Sequence, residues 1–506
     1  MRWPVKLLLG LVVLSGAVAL GGYWYLATYD DREPSRLAYL EYCAGCHGDT
    51  LLGTASGPAL TGELALGDAA EQLILGIRQH HGDLITQAEL PAPMVKALAL
   101  YISEQRQQMP TILGSHDHQV PTDVVYTDLH NFQVELIEEL DSGPYSMAPL
   151  PDGRILVVEK VRGLSVLSGA DETPVRVTGT PKVWSEIVQV RGSYVGIGMM
   201  LDVELHPDYV SNGWIYLSHS DRCQLDCGSP WPVSMVRVIR GRLQGSAWVD
   251  TEVIWSVHHD HYTVVPDGVA AGRLAFDQAG YLYVTVGGKS TYDNLHVLDT
   301  PYGKIHRVHD DGRIPSDNPF WQADHEREPA STRHTVWSYG HRTTQGLTAD
   351  PVSGDIWSTE MGPRGGDEIN LIQRGGNYGW PLYTNGLGYD AEPIRIGEDL
   401  GLDFALADTI APVVDFTPAP SLSNFTFHHG DQFPHWQNDL LVGSLRAQTL
   451  FRIRIAQGQV MQIEKLLTKL GRIRDVEMGP DGLVYVLLEH HESGSLVRLV
   501  PVLDQS

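Results

Sequence analysis

Apolar positions along the 506-residue chain fall into three regimes. At the start they are nearly continuous: Arg2 and Lys6 lead into an apolar run from Leu7 to Leu20, followed by Tyr23, Trp24 and Tyr25. Between residues 32 and 108 they recur at helical spacing. Ser35–Tyr42 is one such stretch. Leu73, Ile74 and Ile77 predict a helix over Ala69–Gln79, and Val95, Leu98, Leu100, Tyr101 and Ile102 predict another over Pro91–Gln107. Met109–Pro121, rich in His, Pro and Gly, reads as a linker that extends to residue 131. From Phe132 onward the period changes again. A turn containing Asp, Asn or Gly precedes a short β-rich run at Ile155–Val158, Trp214–Leu217, Tyr281–Val286, Ile356–Ser358, Leu440–Gly443 and Leu483–Leu488. Units of this size, roughly 60 residues each, cannot bury both faces alone, so they predict a closed ring of blades. The expected architecture is an all-β six-bladed β-propeller over 132–501, with Phe132–Glu138 completing the last blade. A small all-α domain over 32–108 and an N-terminal transmembrane or signal helix precede it. Two stacked β-sandwiches are the alternative for the β region.

Composition agrees with a folded, multidomain chain: 42% hydrophobic and 19% charged residues, with 52 Gly and 30 Pro suited to many turns. The net charge of −26 repels phosphate backbones and so excludes nucleic acid as a partner. It also repels anionic headgroups, so a membrane contact has to come from the apolar segment 1–28. That segment is an export signal. Cleavage near Ala17-Val18-Ala19 would release the protein, whereas retention would leave a signal anchor with its aromatic cluster at the outer interface. The length and the aromatic cluster favour retention. The rest of the chain is then periplasmic, held at the cytoplasmic membrane.

Four cysteines form two local pairs. Cys223 and Cys227 lie in a loop and predict a short disulfide in an oxidising compartment; half of a metal site is the other reading. Cys43-Ala44-Gly45-Cys46-His47 is a C-x-x-C-H motif. Its thiols suit the two vinyl groups of haem and its His suits the iron, giving covalent haem c. A thioredoxin-like pair is the alternative, but that pair belongs in a strand–helix setting. On these residues, and on the Ala97–Ile102 run as a final helix, the stretch from Arg36 to about Gln107 resembles a class I cytochrome c domain. The family usually supplies a distal Met before that helix. Here Gly82-Asp83-Leu84-Ile85 occupies the place without one. His80, His81, Met94 and Met109 are candidate sixth ligands, with His81 nearest the usual position; Met would raise the haem potential and His lower it.

The β region carries an ordered set of motifs: Leu205-His206-Pro207-Asp208-Tyr209, Gly272-Arg273-Leu274, Tyr302-Gly303-Lys304-Ile305, Ser338-Tyr339-Gly340-His341-Arg342, Gln345-Gly346-Leu347, Glu360-Met361-Gly362-Pro363, Asp367-Glu368-Ile369-Asn370-Leu371, Gly375–Pro381 and Arg472-Ile473-Arg474-Asp475. On these it resembles the glucose/sorbosone dehydrogenase family of PQQ-dependent sugar dehydrogenases. The resemblance implies that Arg342, Arg446, Arg472 and Arg474, with Gln345, hold the PQQ tricarboxylate. It also implies that the carbonyls of Gly362 and Pro363 hold Ca²⁺ against the quinone. The chemistry agrees, because guanidinium forks suit carboxylates and calcium accepts backbone oxygen.

The chain departs from the family where a base is needed. The family's catalytic His, three residues before Gly-Arg-Leu, is Val269 here, and its Gly-Asp is Gly287-Gly288. The Gly-Leu-Leu-Gly motif is altered to Val195–Met200. Substitute bases are Asp267, the cluster His258, His259, Asp260 and His261, and His341. Two functions follow. In one, a sugar or other alcohol is oxidised at PQQ, and electrons pass to the tethered haem and on to a respiratory acceptor. In the other, the propeller is catalytically silent and serves as a binding or scaffold module, with the haem as sole redox centre.

Overall fold

The computed structural model describes residues 33–61, 70–87, 90–107, 120–168, 173–183, 188–190, 193–195, 198–223, 227–229, 231–264, 271–289, 291–322, 332–490 and 493–502. The predicted leader 1–28 lies outside them. Among the described residues no helix is long and apolar enough to cross a membrane. The chain divides into a helical unit, Met1–Ser115 with Leu387–Pro393, and a β unit, His116–Gly386 with Ile394–Ser506.

In the helical unit, α1 (Pro34–Tyr42) is capped by the Glu33 carboxylate, which accepts from the Ser35 and Arg36 amides at 3.0 and 2.6 Å. Then come α2 (Ala44–His47), α3 (Ala70–His80), α4 (Gly82–Gln87) and α5 (Ala92–Arg106). The predicted periodicity is borne out. Tyr39, Leu51, Leu73, Leu98, Tyr101 and Ile102 bury together, so the apolar faces of α1, α3 and α5 meet. Leu387 and Ala391 join Ala70, Ala97 and Leu100 in a smaller cluster of the same unit.

The β unit is a six-bladed propeller. Each blade is a four-stranded antiparallel sheet, and the first strands are Pro144–Pro149, Met200–Leu205, Leu274–Phe276, Thr344–Ala349, Leu422–Phe427 and Arg472–Met478. These six touch in sequence and return on themselves, which closes the ring. The last blade is completed from the front of the unit: Phe132–Leu140 pairs with Gly494–Pro501. The six turn-plus-strand runs seen in the sequence are all second strands. They are buried on both faces, as at Ile155–Glu159 and Ile356–Glu360, and so read as short apolar runs after a tight turn. One boundary shifts. Val120, Val125 and Leu129 pack against the core around Phe433, Trp436 and Val497, and Val125 bridges to Phe132, so the end of the predicted linker belongs to the propeller. The apolar residues in that stretch are what dock it.

Carboxylates fasten neighbouring blades. Asp202 of the second blade accepts from Leu274 N at 2.8 Å. Asp367 of the fourth accepts from Leu422 N at 2.8 Å, and Asp475 of the sixth accepts from Met147 N at 2.7 Å. Arg273, 1% exposed, sits between Asp202 and Asp475. It donates to Asp202 (3.1 Å), Asp475 (3.4 Å) and the carbonyls of Tyr145 (3.2 Å), Gln345 (2.8 Å) and Arg474 (3.2 Å). One guanidinium thus ties residues of five blades.

Many buried acids here carry pKa values raised by burial. Glu204 and Glu368 are pushed up to about 8, with Asp202 and Glu360 respectively adding repulsion, and Asp367 is pushed up to about 7. An acid whose folded pKa is raised contributes stability that is lost as pH rises through that value. Buried His219 and His306 are pushed down to about 4 and about 3, so their cost appears only as pH falls below the ordinary His range. Lys304 and Lys160, pushed down to about 7 and about 8 by burial, oppose the acids but are two groups against several, and Lys160 does so only above about pH 8. The melting temperature is therefore expected to rise as pH is lowered from about 8 to about 6. Calorimetry at matched ionic strength checks this; a melting temperature that rises steadily from about pH 6 to about pH 8 contradicts it.

Candidate functional site

Antiparallel pairing brings the starts of first strands level with the later part of their second strands, as in five blades: Pro144 opposite Glu159, Met200 opposite His219, Thr344 opposite Glu360, Leu422 opposite Ser444 and Arg472 opposite Glu489. This rim is where the arginines, Gln345, Gly362 and Pro363 fall, although they are distant in sequence. Two of them, joined by Lys160, meet around one carboxylate. Glu489, nearly buried, receives Arg474 Nε at 3.0 Å, Arg472 Nε at 3.5 Å and the Lys160 ammonium. Arg474 also reaches Gln345 Oε1 at 3.5 Å. Burial pushes the Glu489 carboxyl up, but Arg474, Lys160 and Arg472 together outweigh it and hold it well below the usual range. Burial and then Arg474 push Lys160 down to about 8. Three cations around one anion leave excess positive charge facing the mouth, which is what a polycarboxylate ligand requires. PQQ fits this donor set.

Arg342 lies beside a second pocket with Trp380, Tyr378, Glu360, Glu368 and Gly362. Its guanidinium stands 5.3 Å from the Trp380 ring centre and donates to the carbonyls of Met361 (2.8 Å) and Gly362 (2.9 Å). The Gly362 oxygen predicted to hold calcium therefore already faces a cation. A carbonyl oxygen has two lone pairs, so calcium held by Gly362 and Pro363 would share the Gly362 oxygen with Arg342. Among the described residues no group of three or more His, Cys, Asp or Glu side chains could hold a metal. Arg446 is placed on the same rim, its Nη1 3.4 Å from Ala419 O.

The candidate bases separate. His341 is excluded as a free base: its Nδ1 is 2.9 Å from Glu360, its Nε2 is 2.9 Å from Ser338 Oγ, and its ring stacks on Tyr378 at 4.4 Å. Both nitrogens are occupied, so His341 positions Glu360, whose other oxygen accepts from Arg342 N. His258 and Asp260 are exposed and pair with each other at 3.2 Å, a polar loop. His261 ends the 3₁₀ turn His259–His261, half-buried, its carbonyl accepting from Tyr302 Oη, and burial lowers its pKa. Asp267 and Val269 lie outside the described residues. Gly288 stands where the resemblance puts the family's acid. A Cβ there would lie 2.1 Å from Leu295 Cδ2 and 2.8 Å from Gly303 Cα, so no side chain has room. Gly288→Ala is expected to cost about 1–3 kcal/mol through overpacking, read by urea denaturation. A neutral outcome would show that Leu295 and Gly303 yield.

In the helical unit Cys43 and Cys46 are free thiols, and burial, then Cys46, pushes Cys43 up to about 11. That is opposite to the lowered pKa of a reactive redox pair. His47 is buried, and its Nδ1 is 2.8 Å from Pro58 O. That contact makes Nδ1 the protonated nitrogen and leaves Nε2 a lone pair for a metal. Thr54 Oγ1 donates to Cys46 O at 2.8 Å, and at Gly57 a Cβ would come within 2.9 Å of Cys46, so the loop after the motif lies directly against it. These groups fit a covalent haem. Cys223 and Cys227 are bonded, as the sequence predicts.

Sequence reading missed Lys160, Glu489 and Trp380. Lys160 and Glu489 follow or end second strands, so their rim position was available as a signal, but their convergence required the closed ring. A six-bladed propeller with a cationic polyanion site at one mouth defines a class of ligand-binding propellers. The residues 141–498 match the Glucose / Sorbosone dehydrogenase family model, and the chain belongs to that family. It is similar to the aldose sugar dehydrogenase YliI of Escherichia coli, 34% identical over 73% of this chain and 92% of that protein. The structure of the apo-form of the soluble aldose sugar dehydrogenase from Escherichia coli aligns with a TM-score of 0.61 and 32% identity, covering 73% of this chain and all of that one. The PQQ-bound aldose sugar dehydrogenase of Streptomyces coelicolor shares the fold, with a TM-score of 0.51 and 21% identity over 73% of this chain and 98% of that one.

Proposed function

We propose that the protein oxidises a sugar or other alcohol with PQQ at the propeller mouth. Electrons then leave through a haem c, held by Cys43 and Cys46 and ligated by His47, toward a respiratory acceptor. The observation that carries the first half is the meeting of Lys160, Arg472 and Arg474 around Glu489. Arg472 and Arg474 bind ligand carboxylates, Gln345 orients Arg474, and Arg342 and Trp380 frame the adjoining pocket. PQQ supplies the two-electron acceptor. The proton acceptor comes from the segment 261–267, since His341 is engaged at both nitrogens. The related aldose sugar dehydrogenases support a small sugar as substrate. The basic lead and apolar run of the first segment support a periplasmic protein tied to the membrane through residues 1–28.

PQQ titrated into the full chain, followed by a panel of sugars and polyols with haem absorbance as readout, tests this. PQQ binding followed by haem reduction is expected. Arg472→Ala and Arg474→Ala should each weaken PQQ binding roughly 10- to 100-fold, the worth of one charge-assisted contact. A wild-type chain that does not bind PQQ overturns the proposal. The closed space at Gly288 and the occupied ring of His341 favour one second reading, a propeller that binds without turnover; tight PQQ binding with no haem reduction by any substrate would establish it.

A further inference from the structure

The helical unit places a second imidazole opposite His47. His81 lies at the junction of α3 and α4, its backbone held by His81 N→Ile77 O at 2.9 Å and Ile85 N→His81 O at 3.0 Å. The rings of His47 and His81 are 5.7 Å apart between centres, with planes at 87°. Metal–imidazole bonds of about 2 Å put the nitrogens of two axial rings about 4 Å apart, and the ring centres lie a little beyond them. The observed separation is thus close to what one metal ion bridging the two rings needs. His47 Nδ1 is engaged by Pro58 O, so its outer nitrogen is the one available to the metal.

The competing ligands do not share this placement. Met94 belongs to α5 and packs among the apolar residues of two clusters, with Leu73 and Leu98 in one and Ala97 and Leu100 in the other. His80 ends α3 and is exposed, as His81 is, but the ring set against that of His47 is His81. Met109 lies outside the described residues.

We propose that His81 is the sixth ligand of the haem, so that the iron carries two histidines. The inference rests on the covalent haem of the proposed function and adds what that haem does. Two histidines from the chain would hold the iron for one-electron transfer and would leave no site on it for a small ligand such as carbon monoxide. Imidazole in place of thioether lowers the potential, so the unit hands electrons to a one-electron acceptor of lower potential than a Met-ligated haem would serve.

The test uses the full chain matured with haem. Covalent attachment is read by the pyridine haemochrome of the denatured protein, which does not depend on axial ligands. The native ferric protein is read by near-infrared magnetic circular dichroism. The wild type is expected to show the bis-imidazole band and no binding of carbon monoxide in the ferrous state. His81→Ala should lose that band, become high-spin and bind carbon monoxide, while His80→Ala and Met94→Leu match the wild type. His81→Met should restore a low-spin haem with a thioether signature and a raised potential. A His81→Ala protein that keeps the wild-type low-spin spectrum overturns the assignment, as does a thioether signature in the wild type. Either result leaves the haem itself standing. A wild-type chain with no covalent haem removes both this inference and the haem half of the proposed function.

Discussion

Arg273→Met is expected to lower the stability of the propeller by about 3–5 kcal/mol, the cost of removing one partner from a buried ion-pair network. The side chain is 1% exposed and is the cation between Asp202 and Asp475, themselves buried. Its loss leaves two carboxylates facing each other without a counter-charge and three carbonyls without their donor. Urea denaturation at pH 8 reads the loss directly. The deficit should shrink toward pH 5, because Asp475, pushed up to about 6 by burial, takes up a proton there and needs the guanidinium less. Adding Asp475→Asn to the variant should recover part of the loss for the same reason. Arg273→Lys keeps the charge without the fork that spans five blades, and is expected to fall between the two. An Arg273→Met protein with the stability of the wild type would show that the axial pin contributes nothing to ring closure.

Replacing Cys43 and Cys46 together by Ser is expected to abolish covalent haem, with no absorbance from haem surviving denaturation and extraction. Each single variant should retain at most one thioether, visible as a shifted haemochrome band. The apolar core of the unit, built on Tyr39, Leu98, Tyr101 and Ile102, does not include either sulfur as a fully buried group, so the helices themselves have no reason to unfold. The propeller's response to PQQ should be unchanged in the double variant, while any sugar-dependent haem signal disappears. Haem retained through extraction in the double variant would show that the C-x-x-C-H motif is not its attachment point.

Much of the fold was legible because the informative signals were local. A tight turn followed by a strand buried on both faces leaves a compact mark, and all six such marks proved to be second strands of blades. First and fourth strands were less visible. The first strands carry polar residues that face the axis, such as Asp202, Asn424 and Asp475, and outer strands such as Gln459–Leu467 alternate and are partly exposed. The helical unit was legible for the same local reason: apolar spacing in α3 and α5 matches the faces that bury.

The site was legible only by residue type. Arginines at Arg472 and Arg474 suggested an anion, but Glu489, which holds them, and Lys160, which joins them, were unremarkable acid and base in the sequence. Calcium at Gly362 was an expectation from backbone chemistry, and only the structure puts Arg342 on the same carbonyl. His341 looked like a spare base until its two nitrogens were seen to be taken.

The sequence alone determined the second strands of the blades, the main helices and where the C-x-x-C-H motif sits, since these depend on neighbouring residues. Only the closed ring decided which charges stand together. Its antiparallel blades bring first-strand starts and second-strand ends, hundreds of residues apart, to one rim, and burial there sets whether each group is a ligand, a counter-ion or a structural pin.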